Sequence, residues 1–183
     1  MNESAVADTA AIDWLVACVN AYSTPTRAAA DELDRALLQL PGGPPAARSL
    51  PTDDLIRVAN GWFEVFRAAP EPEAVAAELN QLLRQATPTV AAISDGHSVT
   101  STVALAPETD AATRLSVWGA LILLNATASL GVTRFGTCTG DRCVDVYVDR
   151  SPRHNRRFCS QLCQTRERVS RYRGRKADAA PAT

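Results

Sequence analysis

Apolar residues recur every three or four positions through much of the first 130 residues, which is the spacing of one face of an α-helix. In residues 10–22, for example, Ile12, Leu15 and Val19 fall on one such face. The same pattern predicts four further helices, over residues 24–40, from Thr52 to the break at Pro70, over residues 73–85 and over residues 109–129. The proline- and glycine-rich residues 41–51 predict a loop between the second and third helices.

Residues 87–105 have a different pattern. Val90, Ile93, Val99 and Val103 are spaced through threonine and serine, and an Asp-Gly pair lies at positions 95–96. This predicts a β-hairpin. The predicted fold class is therefore α+β, with a mostly helical body over residues 1–133 that contains one hairpin. We expect Cys18 and the three tryptophans, Trp14, Trp62 and Trp118, to lie in the core of this body; a tryptophan-lined pocket for a small-molecule effector is the alternative.

Four of the five cysteines lie in a short C-terminal stretch as two close pairs, listed here as the candidate metal ligands: Cys138, Cys143, Cys159 and Cys163. The pairs have C-x4-C and C-x3-C spacing. Two short cysteine turns separated by a segment of hairpin length can place four thiolates in the tetrahedron that Zn²⁺ prefers. His154 is a candidate for a substitute ligand, but four thiolates already complete the shell and leave it no vacancy. Disulfides or unligated thiols are the alternatives to a structural zinc ion.

The residues around these cysteines predict a small module of their own over residues 134–176. Val144, Val146 and Val148 alternate with polar residues and predict a strand. A helix is expected from about residue 160 to about residue 173, with Leu162, Val169 and Tyr172 facing inward. A knuckle, a hairpin and a helix whose first turn provides the second cysteine pair together predict a treble-clef-like finger. Because the module has little core, we expect that the loss of one ligand unfolds it and spares the helical body.

The net charge of −1 conceals a strong asymmetry. Residues 1–133 contain seven basic and fifteen acidic side chains, whereas residues 134–176 contain twelve basic and four acidic ones. Arginine side chains suit phosphate oxygens and guanine edges, which makes nucleic acid the expected partner. The candidate contacts lie at the turn and on the C-terminal helix: Arg153, Arg156, Arg157, Arg166, Arg168, Arg171, Arg173 and Arg175. A solvated basic face, or docking of this face on the acidic body, is the alternative.

Several residues of this module resemble the CGNR zinc finger. They are the C-x4-C pair, Asp149-Arg150-Ser151, the run from Asn155 to Ser160, and Cys163-x-x-Arg166. The naming motif stands here as Cys-Gln-Thr-Arg. The family joins this finger to an N-terminal helical body, the ABATE domain, and is regarded as a set of stress-linked bacterial transcription regulators. Upstream, residues 15–20 are similar to an early Val-Asn element of that body.

These observations predict a zinc-finger protein that binds double-stranded DNA and regulates transcription. The alternative is a zinc-stabilised adaptor that binds a protein or RNA. No catalytic set is recognisable, so we expect no enzyme activity. The sequence shows neither a signal peptide nor a membrane span, which predicts a cytoplasmic protein, and residues 177–183 are expected to be a disordered tail. A homodimer is compatible with these features.

Overall fold

The computed structural model describes residues 9–25, 35–94 and 96–178, and for residues 35, 100, 101 and 173–178 it describes the backbone only. The described part of the chain contains five α-helices, two antiparallel hairpins and three short 3₁₀-helices. The helices are α1 (Thr9–Tyr22), α2 (Thr52–Ala68), α3 (Pro72–Leu83), α4 (Ala111–Leu130) and α5 (Gln161–Asp178). The strands are β1 (Thr89–Ser94), β2 (Val99–Ala104), β3 (Phe135–Thr137) and β4 (Val146–Val148). The predicted α+β class, mostly helical with a cysteine cluster near the C-terminus, is confirmed.

Helix α2 is the centre of the body and packs against α1, α3 and α4. Its apolar residues at helical spacing, among them Val58, Trp62 and Phe66, are buried. Two acidic residues in its first turn lie where the positive end of the helix dipole favours them. In the described ranges, none of the helices has both the length and the apolar character that crossing a membrane requires.

The three tryptophans form one aromatic cluster inside the body. The ring of Trp14 lies edge-on to Trp62 and Trp118, with centroid distances of 6.3 and 5.5 Å. Trp62 also donates from Nε1 to the carbonyl oxygen of Ser116 at 3.1 Å. Trp14 and Trp62 are buried, and Trp118 is partly buried and packs against the core. The cluster is therefore part of the core, as the sequence predicts, and so is Cys18, whose burial raises the pKa of its thiol to about 12.

The segment between α1 and α2 differs from the prediction of one helix over residues 24–40. Residues 26–34 lie outside the described residues, and residues 35–39 form a short 3₁₀-helix. A second 3₁₀-helix, Pro45–Ser49, lies in the predicted loop. Proline and glycine from residue 41 onward prevent continuation as an α-helix, and the described part of the connection contains short 3₁₀ turns instead. The predicted tail falls partly on α5, which reaches Asp178, and residues 179–183 lie outside the described residues.

The predicted hairpin is present as β1 and β2. Six residue pairs from Thr89↔Ala104 to Ser94↔Val99 define its register. Gly96 in the connecting turn has a φ of +88°, a conformation that glycine adopts without steric cost. Each strand has extensive contacts only with the other strand and not with the described helices. The hairpin therefore projects from the helical body.

Helices α2 and α4 approach closely at Gly119, which allows a testable prediction. A Cβ atom at this position would lie 2.2 Å from Trp62 Cε2 in the core. Gly119→Ala should therefore lower the free energy of unfolding by about 1–3 kcal/mol in urea denaturation, despite the better helix propensity of alanine. Gly61→Ala on α2 is the matched control, because its Cβ would meet only the flexible end of Leu82 at 2.8 Å. Equal stability of the two variants would contradict this account of the packing.

Candidate metal centre and its basic helix

The first cysteine pair lies in the loop between β3 and β4. Cys138 directly follows β3, and its backbone N–H donates to the carbonyl oxygen of Asp145 at 2.7 Å, just before β4. Within the turn, the Gly140 N–H lies 3.4 Å from Cys138 Sγ, and the Cys143 N–H donates to the Gly140 carbonyl oxygen at 3.1 Å. These bonds fold the loop tightly and point both thiols of the pair to one side.

The second cysteine pair lies at the start of α5. Cys159 precedes the helix and Cys163 lies in its first turn. The hydroxyl oxygen of Ser160 accepts a hydrogen bond from the Cys163 N–H at 3.3 Å, which satisfies one of the N–H groups that a helix start leaves unpaired. The positive end of the helix dipole also favours negative charge on thiolates at this position.

All four thiol sulfurs converge, as predicted. The Sγ atoms of Cys138, Cys143, Cys159 and Cys163 lie within 4.8 Å of one another. The sulfur of Cys159 is 3.7 Å from that of Cys143 and 3.5 Å from that of Cys163. A tetrahedral zinc–thiolate shell with bonds of about 2.3 Å places its sulfurs roughly 3.8 Å apart, so the cluster fits a metal ion of this kind. His154 is not part of the cluster, and its Nε2 contacts the Arg134 guanidinium.

The electrostatics of the cluster also favour a cation. Burial is the main reason that the pKa of Cys143 is raised to about 12 and that the pKa of Cys159 is raised as well. Burial also opposes ionisation of Cys163, but hydrogen bonds from Ser160 and the neighbouring thiols outweigh it and lower its pKa. Ionisation of Cys143 and Cys159 is thus costly without a compensating positive charge. A metal ion would displace protons from the cluster, and its affinity must fall as the pH falls.

A buried carboxylate organises the turn that joins β4 to the second cysteine pair. Asp149 is 3% exposed, and its two carboxylate oxygens accept from the N–H groups of Ser151 at 2.8 Å and Arg156 at 2.9 Å. Although burial opposes ionisation, these hydrogen bonds lower the pKa of Asp149. The guanidinium of Arg134 donates to the backbone oxygens of Asp149 and Ser151 from the other side. The basic turn therefore has a defined conformation.

Arg156 has a structural role in this turn. Its guanidinium donates to the carbonyl oxygens of Phe158 at 2.9 Å and Val148 at 3.2 Å, and it also contacts that of Cys159. The same group lies 5.2 Å from the centre of the Tyr147 ring. Of the arginines predicted to contact nucleic acid, Arg156 thus has its donors directed at the finger itself. Arg156 thereby links Val148 at the end of β4 to the backbone of Phe158 and of Cys159, which is a candidate metal ligand.

Five of the other predicted contact residues are exposed. Arg153 and Arg157 are exposed in the turn, and Arg166, Arg168 and Arg171 are exposed on α5. Arg171 pairs with Glu167 at 2.6 Å, one turn away on the same helix, and its side chain remains 63% exposed. The side chains of Arg173 and Arg175 lie outside the described residues, although the backbone of α5 continues through both positions.

The apolar residues of α5 do not pack as the sequence predicts. Leu162, Val169 and Tyr172 are 59%, 42% and 63% exposed, whereas an inward-facing stripe was expected. The finger is too small to supply a surface that covers them, and α5 has no extensive contact with another described element. Helix α5 therefore projects from the metal centre, and the arginines and apolar residues described on it are accessible.

The hairpin of the finger packs into the body, which the sequence does not reveal. Phe135, Val146 and Val148 belong to the same core as α1 and α2, and the rings of Phe66 and Phe135 lie 5.7 Å apart. The Asn20 side chain accepts from the Val146 N–H at 2.7 Å and donates to the Val146 carbonyl oxygen at 3.1 Å. In the sequence, the only indication of a role for Asn20 is the Val-Asn element that the family resemblance includes.

Comparison with known families agrees with this geometry. Residues 134–176 match the model of the CGNR zinc finger, which confirms the resemblance found in the sequence. No curated protein matches the chain. The match covers the two cysteine pairs, the Asp149 turn and most of α5.

The role of Asn20 can be tested by substitution. Asn20→Ala leaves the N–H and the carbonyl oxygen of buried Val146 without their side-chain partner, so the free energy of unfolding should fall by about 1–3 kcal/mol. Amide hydrogen exchange at Val146 should accelerate in parallel. Asn80→Ala, at an exposed position on α3, is the control and should change stability by less than about 0.5 kcal/mol. Unchanged exchange at Val146 would show that Asn20 does not hold β4.

The cysteine cluster predicts one metal ion per chain. Cys159→Ser should abolish stoichiometric metal binding in elemental analysis, and the circular dichroism signal should lose helix equivalent to at most the 18 residues of α5. The near-ultraviolet signal of the tryptophans should persist, because their cluster and β3–β4 belong to the body core. Cys18→Ala should retain the metal. Metal retained by Cys159→Ser, or lost by Cys18→Ala, would contradict the assignment of ligands.

Proposed function

We propose that this chain, whose residues 134–176 match the CGNR zinc finger, is a zinc-dependent DNA-binding protein that regulates transcription. The observation that supports this most directly is the geometry of α5. The helix begins at the metal cluster, has no extensive contact with another described element, and displays Arg166, Arg168 and Arg171 on its surface. An arginine-rich helix held rigidly at one end is suited to a DNA groove.

Zinc is the ion that best suits the four-cysteine set. Four thiolates at the observed sulfur spacing match its soft, tetrahedral preference. Such a shell has no open position for water or substrate, so its role here is structural and we propose no enzymatic reaction at this site. The bound ion would fix the start of α5 relative to the turn that contains Arg153 and Arg157.

Two groups of arginines have different roles in this proposal. Arg134 and Arg156 hold the turn together through backbone oxygens. Arg153, Arg157 and the arginines of α5 are the groups available to phosphate oxygens and base edges. We extend this role to Arg173 and Arg175 from their positions on α5 in sequence. Because Glu167 partly neutralises Arg171, contact with phosphate would exchange one ion pair for another.

The helical body would supply the regulatory input. Its acidic composition disfavours contact with DNA, which leaves the finger as the binding part. Asn20 and the ion pair between Asp13 and Arg150, at 2.8 Å, connect α1 to the finger. A signal that alters α1, such as a small effector bound by the body, could thereby change the position of α5. We place this activity in the bacterial cytoplasm, where cysteines remain reduced.

One observation favours a second function, that of a protein-interaction adaptor. Leu162, Val169 and Tyr172 form an exposed apolar stripe along the same helix as the arginines. A partner with an acidic rim and an apolar centre would complement such a surface. Under this alternative, α5 recognises protein or RNA, and binding to DNA is weak and independent of sequence.

The proposal predicts a specific salt dependence. Full-length, zinc-loaded protein should bind duplex DNA selected from a random pool, and the logarithm of its affinity should fall linearly with the logarithm of salt concentration. Arg168→Ala should weaken binding and reduce the magnitude of the slope by about 0.9, the contribution of one phosphate contact. Arg67→Ala on α2, where Arg67 pairs with Glu64, is the control and should leave the slope unchanged.

The outcomes separate the two functions. Enrichment of a DNA sequence, together with a salt-dependence slope that becomes smaller in Arg168→Ala, supports the regulator. Absence of salt-sensitive binding by metal-loaded protein contradicts it. In that case, loss of a captured acidic protein or RNA partner on Val169→Asp would support the adaptor.

A further inference from the structure

The β1–β2 hairpin exposes apolar residues that no other described element covers. Val90 and Val99 are 76% and 74% exposed, and Ile93 and Val103 are 43% exposed each. The two strands form a sheet of their own, without a third strand among the described residues. A two-stranded hairpin is only marginally stable by itself in water, so exposed β-branched residues on one are a feature that requires explanation.

Within the part of the chain that the structure describes, both edges of this hairpin lack the usual protection against pairing with another strand. Neither TVAAIS in β1 nor VTSTVA in β2 contains a charged residue or a proline. The register runs through six successive pairs without a bulge. Soluble proteins normally guard open edges with lysine, proline, bulges or a covering element. The hairpin is therefore suited to strand addition.

The sequence of β2 indicates which strand would be added. Residues 99–103 read Val-Thr-Ser-Thr-Val, which is the same in both directions. If two copies pair antiparallel about a twofold axis at Ser101, Val99 lies opposite Val103 of the partner subunit, and Thr100 lies opposite Thr102 of the partner subunit. Every position then faces its own residue type and no charge is opposed. Such self-complementarity is what a twofold interface between identical chains requires.

We propose that β2 pairs edge to edge with β2 of a second copy of this chain, so that two hairpins form a four-stranded antiparallel sheet. Pairs of β-branched residues across antiparallel strands stabilise sheets. Val90 lies directly opposite Val103 in the hairpin register and extends the row of valines across the sheet. We expect the added strand to come from a second copy, because the symmetry of the β2 sequence pairs each residue with its own type only when the partner is another β2. The interface does not depend on DNA binding, and the resulting dimer would present two fingers.

A cysteine at the twofold axis tests the register directly. Residues opposite each other in antiparallel strands have Cα atoms about 4.5–5.5 Å apart, which is within the range that a disulfide bridges. Metal-loaded Ser101→Cys protein, oxidised with glutathione disulfide, should form a covalent dimer. Ala92→Cys is the matched control, because Ala92 is exposed on β1 directly across from Ser101 and away from the proposed interface. Cross-linking that is absent, or equal in the two variants, would overturn the proposal.

The oligomeric state provides the second test. Sedimentation velocity of the zinc-loaded wild type at tens of micromolar should show a dimer, and Val99→Lys with Val103→Lys should raise the dissociation constant at least tenfold. Both valines are exposed, so the monomer should fold and retain its metal. Val144→Lys, at a finger position that is 44% exposed, is the control and should leave the dimer intact. A monomeric wild type, or a dimer that persists in the double variant, would exclude this interface.

Discussion

The convergence of four thiols is the constraint on which the finger depends. Their sulfurs lie within 4.8 Å of one another although they come from two separate turns, one between β3 and β4 and one at the start of α5. Burial raises the pKa of Cys143 and Cys159, so a nearby cation is needed to stabilise their thiolate forms. Because α5 has no extensive contact with another described element, the cluster is also what fixes the direction of the arginine-rich helix.

The finger has two anchors of different physical kinds. The cysteine cluster orders the loop and the start of α5, whereas apolar burial of Phe135, Val146 and Val148 joins β3–β4 to the body. Asn20 satisfies both backbone groups of Val146 and thereby takes the place of a neighbouring strand at the edge of β4. The metal centre and the helical body are thus connected through β4, and a change in the body has a direct structural route to the finger.

Arginines that look alike in the sequence differ in what they do in the structure. Arg156 and Arg134 donate to backbone oxygens around the Asp149 turn, while Arg153, Arg157 and the described arginines of α5 face outward. Spacing along the chain could not separate them, because the difference depends on which carbonyl groups the fold brings near each guanidinium. The same limit explains Leu162, Val169 and Tyr172, whose helical spacing predicts a buried stripe although no described element covers them.

The sequence by itself determined the helices with continuous apolar stripes, the hairpin of residues 89–104 and the four cysteine ligands, because each depends on local periodicity or on ligand spacing. It did not determine the 3₁₀ turn at residues 35–39, which lies just before the proline- and glycine-rich residues 41–45. Only the tertiary structure placed β3 and β4 in the core of the body and joined Asn20 to Val146, 126 residues away along the chain. Contacts of that separation leave no periodic signal in one sequence, since they depend on how whole elements pack against one another.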